Sequence, residues 1–109
     1  MTPMADFVTV AQANEIQPGE RIVVEISKKW VAVFNVAGVY YAIQDICSHD
    51  GGDLADGELI GCEIACPRHG ARFDIRNGRV MSAPALVDIP SFEVRVLDGQ
   101  VQVATARTK

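Results

Sequence analysis

Histidine is scarce in this chain of 109 residues, and cysteine is hardly more common: there are two of the first and three of the second. With two cysteines assigned another role below, one is left and no pair remains for a disulfide, so nothing marks an oxidising compartment. No apolar run is long enough to cross a membrane as a helix. The N-terminal stretch from Met1 to Asp6 has no basic region leading into an apolar one, so no signal peptide is read there. There is no surplus of positive charge either: the net charge is −4, which argues against nucleic acid as a partner. Together these absences predict a cytoplasmic protein with neither a membrane nor a nucleic acid to bind. Internal repeats, low-complexity tracts and linkers are also missing. What is present is ordinary for a folded chain: 49% of residues are hydrophobic, and the length suits one domain spanning residues 1–109.

The chain reads as short strands punctuated by turns. Arg21 to Ile26 and Trp30 to Val36 are rich in β-branched residues, and Val39 to Gln44 adds two tyrosines. Ala37-Gly38 between the last two runs suits a tight hairpin. Glu58 to Ile60 and Glu63 to Ala65 form a second pair, turning at Gly61-Cys62. Arg72 to Ile75 and Arg79 to Met81 flank Asn77-Gly78, and Phe92 to Leu97 and Gln100 to Ala104 flank Asp98-Gly99; both dipeptides signal two-residue hairpins. Val10 to Ile16 hints at a helical turn, ended by Pro18-Gly19. Strands and turns at this frequency predict an antiparallel all-β domain. Trp30, Phe34, Tyr40, Tyr41 and Phe73 are read as core.

Both histidines and two of the cysteines fall in two short motifs, Cys47-Ser48-His49 and Cys66-Pro67-Arg68-His69. Each offers one thiolate and one imidazole, and together they can close a metal site. A structural zinc site usually takes Cys-x2-4-Cys and His-x3-5-His pairs, whereas here each pair mixes the ligand types. Mixed pairs on two loops suit two sulfide-bridged irons, with the cysteines on one iron and the histidines on the other. A zinc-stabilised binding module with no redox role stands as the alternative from a different class. Cys62, in the turn of a hairpin, is read as a bystander. Gly51, Gly52 and Gly70 fit loops whose backbone comes close to a bound group.

The run Cys47-Ser48-His49-Asp50-Gly51-Gly52, with Cys66-Pro67-Arg68-His69-Gly70-Ala71-Arg72-Phe73-Asp74, resembles the C-x-H…C-P-x-H-G-x-x-F-D signature of the Rieske family. The resemblance is closest to the small ferredoxins that serve bacterial aromatic-ring dioxygenases. It implies an antiparallel Rieske-like β-sandwich or barrel carrying a small cluster-binding subdomain, about residues 45–83. It also implies a [2Fe–2S] cluster held by Cys47, His49, Cys66 and His69, and a segment Ser82-Ala83-Pro84-Ala85 lying over it. The implied function is one-electron transfer from a flavoprotein ferredoxin reductase to a terminal oxygenase, with no catalytic residue on this chain. A small redox subunit of a nitrite-reductase-like complex is the rival within the same fold. The charges near the motifs, Arg68, Arg72, Arg76 and Arg79 against Asp45, Asp50, Asp53, Asp56 and Glu58, read either as a solvated surface or as a docking face.

Three positions depart from the respiratory branch of the family. Its loop cysteines, which form a disulfide, correspond to Gly52 and Arg68 here. Its serine after His-Gly, a donor to cluster sulfide, corresponds to Ala71. A hydrogen bond to sulfur stabilises the more negative reduced state, so its loss points to the low end of the Rieske range, about −150 mV. Ala71→Ser is therefore expected to raise the midpoint potential. With hydrogen bonds to charged groups worth about 1.5–3 kcal/mol, and roughly half of that differing between oxidation states, the rise is on the order of tens of millivolts. Voltammetry of variant and parent at one pH checks this; an unchanged potential, with the hydroxyl seen within reach of sulfide, contradicts it.

Overall fold

The computed structural model describes residues 6–108, so Met1 to Ala5 of the N-terminal stretch lie outside them, and with them most of the segment searched for a signal peptide. The described chain is almost entirely strand and turn. In order it runs β1 (Phe7–Gln12), a 3₁₀ turn (Ala13–Glu15), β2 (Arg21–Ile26), β3 (Lys29–Val36) and β4 (Val39–Gln44). After a long loop come β5 (Leu59–Ile60), β6 (Glu63–Ala65), β7 (Arg72–Asp74) and β8 (Val80–Ser82). It ends with β9 (Ser91–Phe92), β10 (Val94–Leu97) and β11 (Gln100–Ala104). These strands make three antiparallel sheets, ordered β1-β11-β10, β2-β3-β4-β9 and β5-β6-β7-β8. The all-β antiparallel architecture is as the sequence predicts.

β3 explains how the sheets stack. Its residues Val31 to Asn35 are all buried, the mark of a strand covered on both faces. Val31 and Val33 point to one side, where they meet Val101 and Val103 of β11. Ala32 and Phe34 point to the other, where they join Ile64, Phe73, Cys47 and Cys66. The β2-β3-β4-β9 sheet is thus the middle layer, with the β1 sheet on one side and the cysteine-bearing sheet on the other.

Four expectations need correction. The stretch Val10 to Ile16 is helical only over Ala13–Glu15; its first part belongs to β1, where pairing with β11 (Phe7↔Ala104 to Gln12↔Gln100) decides the conformation of a β-branched run. Phe92 to Leu97 is two strands. The chain leaves β4, where Phe92 pairs with Ala42, and joins β11, where Val94 pairs with Val103. Trp30 is 57% exposed rather than core, because it sits opposite Glu25 on the second rung from the Ser27-Lys28 turn, beyond both apolar clusters.

Asn77-Gly78 lies in a turn wider than the predicted two-residue hairpin. Ile75 is drawn fully into the core and its N–H donates to Cys62 O at 2.9 Å, so β7 ends early. Asp74 organises the turn between β7 and β8. Its backbone carbonyl accepts from Gly78 N at 2.7 Å. Its buried carboxylate accepts from Arg76 N (2.9 Å), Nε (3.0 Å) and Nη2 (2.9 Å). The Arg76 fork holds the Asp74 carboxyl below the usual carboxylate range, against the opposing effect of burial. This lowered native value means the contribution to stability is complete above the unfolded carboxylate pKa, about 3.9, and is lost as the pH falls below that through the folded value. Asp74→Ala is expected to cost about 1–3 kcal/mol at neutral pH, with the deficit narrowing only below about pH 4. Chemical-denaturation midpoints of parent and variant across about pH 7 to 2.5 check this; a deficit that stays constant to the acid end contradicts it.

Candidate metal centre

Two loops carry the sulfur and imidazole groups. One leaves β4 and the other joins β6 to β7. Their Cys-to-His spacings differ by one residue, yet their backbones make the same turn. Cys47 N donates to Gly52 O at 2.7 Å, and Gly51 N donates to Cys47 O at 2.7 Å. In the second loop Cys66 N donates to Ala71 O at 2.7 Å, and Gly70 N donates to Cys66 O at 2.9 Å. Gly51 (φ 77°) and Gly70 (φ 76°) hold the same left-handed position, which strains any residue with a Cβ. With the chain curled this way, the amides of His49 and Asp50 point at the Cys47 sulfur, and those of Arg68 and His69 at the Cys66 sulfur.

The loops are anchored from below. Asp45 Oδ1 accepts from Leu54 N (2.7 Å) and Ala55 N (2.8 Å), closing the base of the first loop. Arg21 of β2 donates to the carbonyls of Ala55 (3.0 Å) and Gly57 (2.6 Å), while its guanidinium lies over the Phe34 ring. Gly57 is the point of closest approach between loop and sheet: a Cβ there would lie 1.9 Å from Ala65 O. The segment after β8 closes over the site. Ala85 is buried among the residues that pack on both cysteines, and Ser48 Oγ donates to Val87 O.

These constraints sort the four polar groups by depth. Cys47 and Cys66 are buried, and their sulfurs lie with an Asp50 carboxylate oxygen all within 4.8 Å of one another. His49 and His69 lie outside them, exposed, with ring centroids 5.1 Å apart and planes at 86°. Cys62 sits half-buried in the Gly61-Cys62 turn, outside the group formed by the two thiols and Asp50. Ala71 is fully buried in the same core.

Asp50 is the participant that the sequence presents only as surface charge. Arg68 Nε donates to its Oδ2 at 2.6 Å, Arg68 Nη2 to its Oδ1 at 3.1 Å, and Gly52 N to its Oδ1 at 2.9 Å. Its Oδ2 also lies 3.5 Å from His69 Nδ1. The Arg68 fork, helped by the Gly52 amide, pulls the Asp50 carboxyl well below the usual range and pushes the guanidinium further up. With Arg68 on Asp50, Arg76 on Asp74 and Arg72 Nη1 3.8 Å from Glu63 Oε1, three of the four arginines near the motifs are engaged within the fold rather than free for a docking face.

The chemistry of the donor set fits an iron–sulfur group. Burial opposes a thiolate at both sulfurs. At Cys66 it is overcome by the amides of Arg68 and His69 and by a hydrogen bond from the Cys47 thiol, so that thiol ionises early; at Cys47 burial prevails and its proton is held. Two thiolates at such a place require adjacent positive charge, which iron supplies. Amides aimed at sulfur and exposed imidazoles complete a set of two sulfur and two nitrogen donors.

Comparison with known proteins agrees. The family model described as "Rieske [2Fe-2S] domain" matches residues 6–93. Ferredoxin CarAc of Metapseudomonas resinovorans is 37% identical over 99 residues, which is 90% of this chain and 92% of that protein. The ferredoxin component of the naphthalene 1,2-dioxygenase system of Pseudomonas aeruginosa is 35% identical over 97 residues, 89% of this chain and 93% of that one. Among solved structures, the complex of reduced oxygenase and oxidized ferredoxin in carbazole 1,9a-dioxygenase contains a chain that matches with a TM-score of 0.89 and 35% identity. The match covers 94% of this chain and 96% of that one. These likenesses decide for a cluster over zinc. This chain belongs to the Rieske [2Fe–2S] family, and it is an electron carrier of the ferredoxin kind with a Rieske-type cluster as its cofactor.

Proposed function

We propose that Cys47, His49, Cys66 and His69 are the protein ligands of the cluster, the thiolates on an inner iron and the imidazoles on an outer one. The doubled turn carries this reading: two loops of identical hydrogen bonding set buried thiols together and bring the His49 and His69 rings within 5.1 Å of each other at the surface. Bound there, the cluster supplies one-electron chemistry at a potential raised by its imidazole ligands. The chain's own residues do the rest. The loop amides hold negative charge on the sulfurs. Phe34, Phe73 and Ala85 keep water from the inner side, and the exposed imidazoles form the face through which electrons enter and leave. On this reading residues 45–83 act as the cluster-binding unit on a β base.

The carrier takes its electron from a flavoprotein ferredoxin reductase and delivers it to a terminal oxygenase. Support comes from relatives that are ferredoxin components of naphthalene dioxygenase systems, and from the structure in which an oxygenase and a ferredoxin form a complex. A cytoplasmic location suits three cysteines of which none is paired in a disulfide. Among the described residues no helix is long and apolar enough to cross a membrane.

Removing the sulfur of Cys62 or of Cys66 separates ligand from bystander. Cys62→Ser is expected to keep the visible and electron-paramagnetic spectra and to take up one electron per chain in a dithionite titration. Cys66→Ser is expected to lose both. Loss of the cluster from the Cys62 variant, or its retention in the Cys66 variant, would overturn the ligand set.

A further inference from the structure

We propose that Arg68 is a positioning residue: by gripping Asp50 and the Asp53 carbonyl it clasps the two cluster loops together and so keeps the cluster from leaving. The inference rests on the ligand assignment above and adds to it the device that holds the ligands in place.

Each loop is well tied to itself and poorly tied to the other. The hydrogen bonds of the first turn run between Cys47, Gly51 and Gly52, and those of the second between Cys66, Gly70 and Ala71. Among the described residues no backbone hydrogen bond joins one turn to the other. Side chains make the bridge: His69 Nδ1 lies 3.5 Å from Asp50 Oδ2, and the firmer link is Arg68. Its Nε and Nη2 take both carboxylate oxygens of Asp50, at 2.6 and 3.1 Å, and Nη2 reaches on to Asp53 O at 2.8 Å. The carboxylate is fixed in turn by Gly52 N at 2.9 Å. The guanidinium lies so close over the first loop that a Cβ on Gly52 would come within 2.5 Å of its central carbon.

An ordinary exposed ion pair contributes little, because water and mobile side chains compete with it. This one differs in geometry. It is forked, which is the strong arrangement of guanidinium and carboxylate. It has a third acceptor, and its acid is held by a backbone amide. It is also only partly shielded, with 36% of the Arg68 side chain and 20% of the Asp50 side chain exposed. Salt should therefore loosen it. Opening the clasp would let the loops part and expose the inner sulfurs, which are otherwise buried.

The experiment follows bleaching of the purified holoprotein's visible absorption by an excess of iron chelator, at rising potassium chloride. The parent is expected to bleach faster as salt rises. Arg68→Gln and Asp50→Asn are each expected to bleach about fivefold to tenfold faster than the parent at low salt, with little further response to salt. Arg68→Lys keeps the charge but not the fork and should fall between. The double variant Arg68→Gln/Asp50→Asn should bleach no faster than the worse single variant, because both remove one interaction. Single variants that bleach within about twofold of the parent, or effects that multiply in the double variant, overturn the clasp. If Arg68→Gln fails to assemble a cluster, the parent's salt response and Arg68→Lys decide: a salt-independent parent with an unaffected lysine variant overturns it. Failure of the ligand assignment looks different, since Cys66→Ser would then retain its cluster whatever Arg68 does.

Discussion

The centre depends on a turn that commits its backbone N–H groups to two tasks. In both loops the cysteine amide and the amide four residues on are used to close the turn, at 2.7 to 2.9 Å. That closure leaves two intervening amides aimed inward at sulfur. A buried thiolate without such donors would be too costly to hold, and a cluster bound by it would sit in an apolar shell with nothing to balance its charge. The glycine at the fourth position is what lets the turn close, which is why Gly51 and Gly70 share a φ of 77° and 76° although one follows Cys-x-His-x and the other Cys-x-x-His.

The fold supplies the depth that this turn needs. β3 is buried on both faces, so the sheet it centres can carry a core on either side. One core holds the molecule together with β11. The other is completed by the loops themselves, with Cys47 and Cys66 packed among Phe34, Ile64 and Phe73 as ordinary apolar neighbours would be. The thiols are thus part of the hydrophobic interior while the neighbouring imidazoles face water. That gradient from core to surface is the physical basis for an electron carrier: charge is changed at a protected place and exchanged at an exposed one.

Much of this was legible in the residues. The hairpins at Ala37-Gly38 and Asp98-Gly99 formed as their turn chemistry demands, because both turns need consecutive positive φ values and offer glycine for one. Ser27-Lys28 makes the same kind of turn with neither glycine nor asparagine, so nothing local announced it. Glu93, where the chain changes sheets, and Trp30, left outside both cores, were set by tertiary pairing that no short window records. At the centre the Cys and His motifs were plain. Asp50 was not, since a carboxylate in an acidic chain gains meaning only when its partner, Arg68, is brought from eighteen residues away.

The assignment of imidazole to the outer iron is the claim on which the function rests, and nitrogen coupling reports on it directly. Pulsed electron-paramagnetic spectroscopy of the dithionite-reduced protein, grown with ¹⁵N-histidine, is the measurement. Because the chain has only two histidines, the account predicts two strongly coupled ¹⁵N nuclei and the loss of one of them in a His69 variant that still holds iron. A reduced cluster with no coupled histidine nitrogen would contradict it.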